Sequence, residues 1–418
     1  MNKFISLFIV TLSFIFVLVT EIKASDICEK EEKYSQVWYY NNCDKPQGEK
    51  NTPWKGYENL TSSEIPEDAK PDYKILKHYL KKYIDESKHG NKVIIKKSKN
   101  YKEFNFNLKQ DENVIKAFSD TALLSYLMYV NGQIVIDEIT PKDRFGKIFK
   151  NNTLYVSNSA GKSIMSYVYG HAVCRGHVNG IYQPMDWDVL ENTLYENQPI
   201  INILNMASGT QLHIDTKGGG TFYNSKKWAN RWSINDLAKE ELKNTKPGIN
   251  KYHYANLNTN VFASYVMATM GSKEYKKMLK DIFQNKIGIQ YNVVMKQPSM
   301  SKKSDLSMTY GMHLTRYDYM RVAVAMLNDW NNNTCEGQYL KSLYKNKIVK
   351  NDGVNKNHAH SNATHYAGQF HTYADKPIFI LDGFAGQTIT IDFDNKKIIS
   401  TMAIHRDYDW SKLVYSKF

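Results

Sequence analysis

Cysteine is scarce in this chain. Four occur in 418 residues, Cys28, Cys43, Cys174 and Cys335, and no two form a Cys-x-x-Cys pair, which argues against a structural zinc site built on paired thiolates. No cysteine follows the N-terminal apolar run at the spacing of a lipid-anchored precursor, because Cys28 comes too late and is approached through Ser25-Asp26-Ile27. Internal repeats and low-complexity linkers are missing. So is a basic motif: the net charge is +13, but the lysines are scattered rather than gathered into a stripe interleaved with aromatics, within a general richness in Lys, Asn, Ile and Tyr. Charge of that kind gives no reason to expect a nucleic-acid partner.

What the chain does have is enough apolar material for a sizeable core, with 42% hydrophobic and 13% aromatic residues, in one large domain or two smaller ones. Its mean hydropathy of -0.54 fits a soluble protein. At the N-terminus Lys3 precedes the unbroken apolar or small run from Phe4 to Thr20, and "EIKASDI" follows. That layout is a secretory signal peptide, residues 1–24, cleaved after Ala24, which predicts an exported protein, periplasmic or secreted, with no stable membrane span after cleavage. Retention as an anchor is the alternative, since the run lies at the lower edge of what spans a bilayer. Export permits disulfides, and Cys28 with Cys43 would close a short loop around "YSQVWYYNN". Cys174 continues an apolar helical pattern and reads as a buried free thiol.

Residues 25 to about 110 are polar and lysine-rich, carry one amphipathic helix candidate, "DYKILKHYLKKYIDESK", and read as an extension packed on a main domain of residues 111–418. The pattern changes at "TALLSYLMYVNGQIVIDEI", where two β-rich runs flank Asn131-Gly132, a type I′ hairpin signal, so a sheet begins near residue 121. In the next stretch, "VSNSAGKSIMSYVYGHAV", Ile164, Met165, Val168, Tyr169, Ala172 and Val173 recur at helical spacing. Ser157, Asn158 and Ser159 offer caps, which predicts a helix starting beside Ser159. From about 176 to 355 the helical candidates "PIINILNMAS", "LNTNVFASYVMATMG", "SKEYKKMLKDIF" and "RYDYMRVAVAMLNDW" predict a mostly helical insertion. Strand character returns in "KPIFILDGFAGQTITIDFDNKKIISTMAIH", with a turn at Asp394-Asn395, so the end of the chain is expected to rejoin the first sheet.

Ser159 and Lys162 form a Ser-x-x-Lys tetrad, a pattern that also occurs at Ser299–Lys302 and Ser342–Lys345. Only the first opens a helix. There, residues i and i+3 share a face, so Lys162 can reach the Ser159 hydroxyl, and the helix terminus favours developing negative charge. Ala160 and Gly161 leave room for a substrate. Lysine serves as base only if burial or a neighbouring cation lowers its pKa enough to populate the neutral amine. The bland reading is a capping serine beside a surface lysine.

Downstream come "NILNMASGT", then Pro247-Gly248 and Tyr254-Ala255-Asn256, then "SMTYGMHLTRYDYMRVAVAML" and "GFAGQTITID". In this order, from about residue 121 to 405, the sequence resembles the serine hydrolases of the class C β-lactamase and penicillin-binding-protein superfamily, including their esterase and 6-aminohexanoate-oligomer amidase branches. The resemblance implies a β-lactamase/transpeptidase-like mixed α/β (α+β) fold: an antiparallel sheet built from both chain ends, flanked by helices, with a helical insertion carrying Tyr-x-Asn. It makes Ser159 the nucleophile, Lys162 its base, and Tyr254 and Asn256 the second motif, the phenol relaying a proton and the amide holding the lysine and a substrate carbonyl. In the third motif Gly386 lets a strand edge approach the substrate, and the Gln387 N–H joins that of Ser159 as an oxyanion hole.

The third motif departs from the best-known members, since Phe384-Ala385-Gly386 stands where many carry Lys-Thr-Gly or His-x-Gly. Without that cation a substrate carboxylate lacks an anchor, which shifts the expectation toward small ester or amide substrates and away from β-lactams and D,D-peptides. A β-lactamase or D,D-carboxypeptidase of the same fold and a non-catalytic exported binding protein stay open as alternatives. No cofactor is implied. The histidines His358, His360, His365 and His371 raise a rival zinc reading, with no acidic residue until Asp375.

Overall fold

The computed structural model of the protein describes residues 73–209, 232–299, 301–302, 305–350, 363–405 and 410–418. The segment 1–24, Cys28 and Cys43, His358, His360 and Arg406 lie outside them. In chain order the elements are α1 (Tyr73–Asp85), β1 (Lys92–Ile95), β2 (Asn105–Phe106), α2 (Glu112–Asp120), β3 (Leu123–Val130), β4 (Gln133–Ile139), β5 (Tyr155–Val156) and α3 (Ala160–Cys174). There follow α4 (Ile200–Leu204), α5 (Ile234–Glu240), α6 (Asn256–Lys280), β6 (Val293–Lys296), β7 (Met312–Leu314), α7 (Arg316–Asn331), α8 (Cys335–Lys345) and β8 (Ile348–Val349). The chain ends in β9 (His365–Ala367), β10 (Phe370–Thr372), β11 (Ile378–Gly383), β12 (Gln387–Asp392) and β13 (Lys397–Ala403).

The β3–β4 hairpin turns where its sequence says it should. Asn131 and Gly132 sit at φ 47° and 95°, the left-handed pair that a two-residue type I′ turn demands. β13 returns antiparallel to β3, with Lys397 opposite Val130 and Thr401 opposite Tyr126, so both ends of the chain do close one sheet. Its order is β2-β4-β3-β13-β12-β11-β10-β9-β8. One pairing is parallel, β2 on β4, and it comes from the segment read as an extension. That segment contributes more than a cover: β1 pairs with β6 in a second, four-stranded sheet ordered β1-β6-β7-β5. Leu76, Tyr79, Leu80 and Tyr83 of α1 join the same core cluster as Ile164 and Val168 of α3.

The middle of the chain is therefore not only helical. β6 and β7 are only four and three residues long, too short to carry a periodicity of their own, and their pairing with β1 and β5, far away in sequence, is what makes them strands. The two helical candidates around residues 256–280 run together as α6, with a break at Gly271, φ 73° and ψ 153°. The Thr-x-x-Asp start of α7 is a cap. Thr315 Oγ1 accepts from the Asp318 N–H and donates to its carboxylate, while buried Asp318 also accepts from the N–H groups of Gln290 and Tyr291 and from Arg321.

Cys174 is not a free thiol. It is bonded to Cys335, tying the last residue of α3 to the first of α8 across 161 residues of sequence. The apolar periodicity that pointed to burial fades at this helix end, where Cys174 is only half-buried and α8 packs alongside. Cys174→Ser is expected to cost about 2–4 kcal/mol of stability. Urea unfolding of the variant beside the native protein measures this, and an unchanged midpoint would show that the cross-link contributes nothing.

Candidate active site

α3 carries the tetrad into the centre of the molecule. The sequence pattern reads as one apolar face, yet every residue from Ala160 to Ala172 is buried, because the helix runs between β11 on one side and α6 and α8 on the others. Its polar residues find partners there: Ser163 Oγ donates to the Gln369 carbonyl at 2.5 Å, and Ser166 Oγ meets the Tyr339 hydroxyl at 2.9 Å. A hydrogen-bonded polar group costs far less to bury than an orphaned one, so the helix keeps them.

At the start of α3 the chain is forced into a tight approach. Asn158 adopts φ 46° immediately before Ser159, and its amide donates to the Phe384 carbonyl at 2.8 Å. Gly161 faces the Tyr310 carbonyl so closely that a Cβ would lie 2.1 Å from that oxygen. On the other side Gly383, at the end of β11, leaves no room for a side chain either, since a Cβ would sit 2.5 Å from the Ser157 carbonyl oxygen. These two glycines let the tetrad be pinched between the β6–β7 sheet and the β11–β12 hairpin.

Ser159 is half-buried, whereas Lys162 is 1% exposed. The Lys162 amine hydrogen-bonds Ser159 Oγ at 2.7 Å. Burial holds the amine well below the ordinary lysine range, and the Asp382 carboxylate pulls the other way. Two aromatic rings also flank the amine, with Nζ 3.7 Å from the ring centre of Tyr310 and 4.8 Å from that of Tyr254. Burial likewise holds the Tyr254 phenol well above its usual range, with the Ser159 hydroxyl opposing the shift. Ser159, Lys162 and Tyr254 are thus brought together, the phenol neutral and the amine poised to lose its proton.

Tyr254 is placed by the "NILNMASG" segment. Met206, itself at φ 56°, accepts the His253 N–H on its carbonyl at 2.7 Å, and its sulfur receives the Ala255 N–H at 3.4 Å. Asn258 locks the far side by accepting from both Tyr195 and Ser208 at 2.8 Å, which makes the Tyr195-x-Asn197 match a buried structural tyrosine. Asn256 opens α6, half-buried, and among the described residues no hydrogen bond ties its amide to Lys162.

Gly386 and Gln387 stand at the turn that joins β11 to β12. Phe384, Ala385 and Gly386 form the turn between β11 and β12, and Gly386, at φ 91°, turns toward Trp410 and Ala403, where a Cβ would lie 2.4 Å and 2.8 Å from their atoms. The glycine that lies against the segment leading into Ser159 is Gly383. Gln387 pairs with Gly383 in the ladder, and its buried side chain braces the turn by donating to the Phe384 carbonyl at 2.9 Å and accepting from the Ala403 N–H at 3.3 Å. The Ser159 N–H makes no hydrogen bond within the described residues, while those of Ala160, Gly161 and Lys162 donate back to residues 157–159.

The other Ser-x-x-Lys tetrads do not reproduce this setting. Ser342 Oγ donates to the Tyr339 carbonyl in the last turn of α8, and Ser299 and Lys302 are exposed. Of the histidines, His371 Nδ1 lies 3.0 Å from Lys350 Nζ and His365 Nδ1 lies 2.9 Å from Thr364 Oγ1. Among the described residues no group of three or more His, Cys, Asp or Glu could hold a metal, and no helix is long and apolar enough to cross a membrane.

Neither a protein-family model nor a curated protein matches the sequence. Solved structures do. A protein described as a 6-aminohexanoate-dimer hydrolase from Bacillus anthracis superposes with a TM-score of 0.60 at 13% identity, over 81% of this chain and 92% of that one. A penicillin-binding protein from Bacillus halodurans does so with a TM-score of 0.50 at 13% identity, over 73% of this chain and 99% of that one. With its closing strands, central tetrad helix and flanking helices, the chain has the mixed α/β fold of the β-lactamase and penicillin-binding-protein superfamily.

Proposed function

We propose that the protein is an exported serine hydrolase that cleaves small ester or amide substrates through an acyl-Ser159 intermediate. The observation that carries the reading is the buried Lys162 amine, 2.7 Å from a half-exposed Ser159 hydroxyl. In its neutral form this amine takes the serine proton as Oγ attacks the acyl carbon. The oxyanion is received by the Ser159 N–H and a backbone N–H of the Gly383–Gln387 turn. Tyr254 passes the proton to the leaving group, and water then attacks the acyl-enzyme along the reverse path, returning the serine. Asn256 orients the substrate carbonyl. The Cys174–Cys335 bond and the apolar run behind Lys3 both support an oxidising, extracytoplasmic compartment.

Substrate choice follows from the charge around the turn. The stretch Ile378–Gln387 carries no cation, its one charged residue is Asp382, and Phe384 stands 43% exposed at the turn. A substrate carboxylate therefore loses a charge-assisted hydrogen bond worth about 1.5–3 kcal/mol, or roughly ten- to a hundredfold in binding. An uncharged short-chain ester is expected to show a higher kcat/KM than a penicillin or a D-Ala-D-Ala peptide, and Phe384→Lys should narrow the gap. Efficient penicillin turnover by the native protein would overturn this reading in favour of a β-lactamase.

A further inference from the structure

On the face that carries β1, the fold brings together two short lysine clusters that lie far apart in sequence. A groove of about 1050 Å³ runs between β1 with its following loop and the junction of α6 with the helical turn Asp281–Ile287. Lys96, Lys97 and Lys99 stand on one wall and Lys276 and Lys280 on the other, all five exposed. None has an ion-pair partner among the described residues. The aspartate on the lining, Asp281, is held by Arg175 at 3.1 Å. Lys276 and Lys280 are one helical turn apart, a like-charge spacing that weakens a helix.

The walls are fixed to each other. Gln284 Nε2 donates to the Lys96 carbonyl at 2.7 Å, the Ser98 N–H reaches the Ile289 carbonyl at 3.0 Å, and the Lys97 N–H reaches Asn292 Oδ1 at 2.9 Å. The groove is thus preformed, and a linear ligand would meet charge on both sides at once. No aromatic side chain lines it, so it offers nothing for nucleic-acid bases to stack on. β1 lies at one end of the four-stranded sheet and β5, which leads into Ser159, at the other, three strand spacings or about 14 Å away.

We infer that this groove binds a linear polyanion without bases, a chain of phosphate groups whose backbone charges lie between the two lysine walls. Such binding releases condensed counterions and weakens with salt, with a slope that counts the phosphates neutralised. The test measures binding of the full-length protein to fluorescently labelled inorganic polyphosphate by anisotropy over a series of salt concentrations. Lys276→Glu/Lys280→Glu is compared with the native protein and with Lys116→Glu/Lys142→Glu, which makes the same change in net charge at exposed positions elsewhere. Native-like melting curves establish that the variants are folded. The expected result is saturable binding by the native protein and the control. The groove variant should lose at least about tenfold in affinity, with a salt slope shallower by about two. Equal loss in both variants would mean that net charge alone attracts the polyanion and would overturn the site. So would an absence of saturable binding. Tighter binding to a single-stranded oligonucleotide or to vesicles of anionic phospholipid would overturn the choice of ligand.

Discussion

Ser159→Ala is expected to reduce kcat/KM for a short-chain ester by at least about a thousandfold while leaving the protein folded. The removed oxygen is the atom proposed to attack, and its hydrogen bond is to the Lys162 amine. The variant leaves that buried amine without its partner, a cost of about 1–3 kcal/mol, so the melting temperature should fall by a few degrees at most. A fluorescent phosphonate separates chemistry from binding. It should label the native protein on the peptide containing Ser159 and leave the alanine variant unlabelled. Near-native turnover by Ser159→Ala would remove the nucleophile from the mechanism. A native protein that neither turns over esters nor takes up the probe would be a binding protein on a hydrolase fold.

The parts of this site that could be read in the sequence are those carried by local chemistry. Asn131-Gly132 specifies its turn through two left-handed residues, and the β3–β4 hairpin follows. The start of α3 was legible because the apolar period begins beside Ser159, and Ser159 and Lys162 share a helical face whatever the rest of the chain does. Tyr254 is marked by Pro247-Gly248 and the helical run after it, since Tyr-x-Asn by itself also occurs elsewhere, as at Tyr57, Tyr195 and Tyr344.

What stayed hidden depends on pairings between distant segments. Tyr310 carries no periodic signal of its own in the sequence, and it reaches Lys162 because β7 pairs with β5 and so aligns the residues before β7 with the start of α3. Gly383 reads as one glycine among 22, and only the approach of β11 to Ser157 reveals why a side chain is excluded there. The all-round burial of α3 was hidden for a related reason. Ser163 and Ser166 look like a solvated face until Gln369 and Tyr339 are brought to them from other elements. The Cys174–Cys335 bond joins two helix ends with no spacing pattern to announce it.

Lys162→Met is expected to abolish ester hydrolysis and, unlike most changes at a fully buried position, to leave the fold as stable as before or more so. The activity argument rests on charge. In the proposed mechanism only the neutral amine accepts the Ser159 proton, so kcat/KM of the native protein should rise with pH along a limb set by Lys162, at a pH well below the ordinary lysine value because burial disfavours the ammonium. The rings of Tyr310 and Tyr254 and the Asp382 carboxylate stabilise the ammonium and keep the limb from moving lower still. Any turnover left in the variant should lack that limb. The stability argument follows by linkage. The folded-state pKa lies below the unfolded one, so the unfolded chain binds more protons between the two values and native stability rises with pH through that window. Below it the native protein bears the full cost of a buried cation, and methionine fills the same space without that cost. The melting temperature of Lys162→Met should therefore equal or exceed that of the native protein, and more clearly at low pH than at high. An active variant with an unchanged pH profile would rule the lysine out as base. A steep loss of stability would show that its charge serves the fold rather than the reaction.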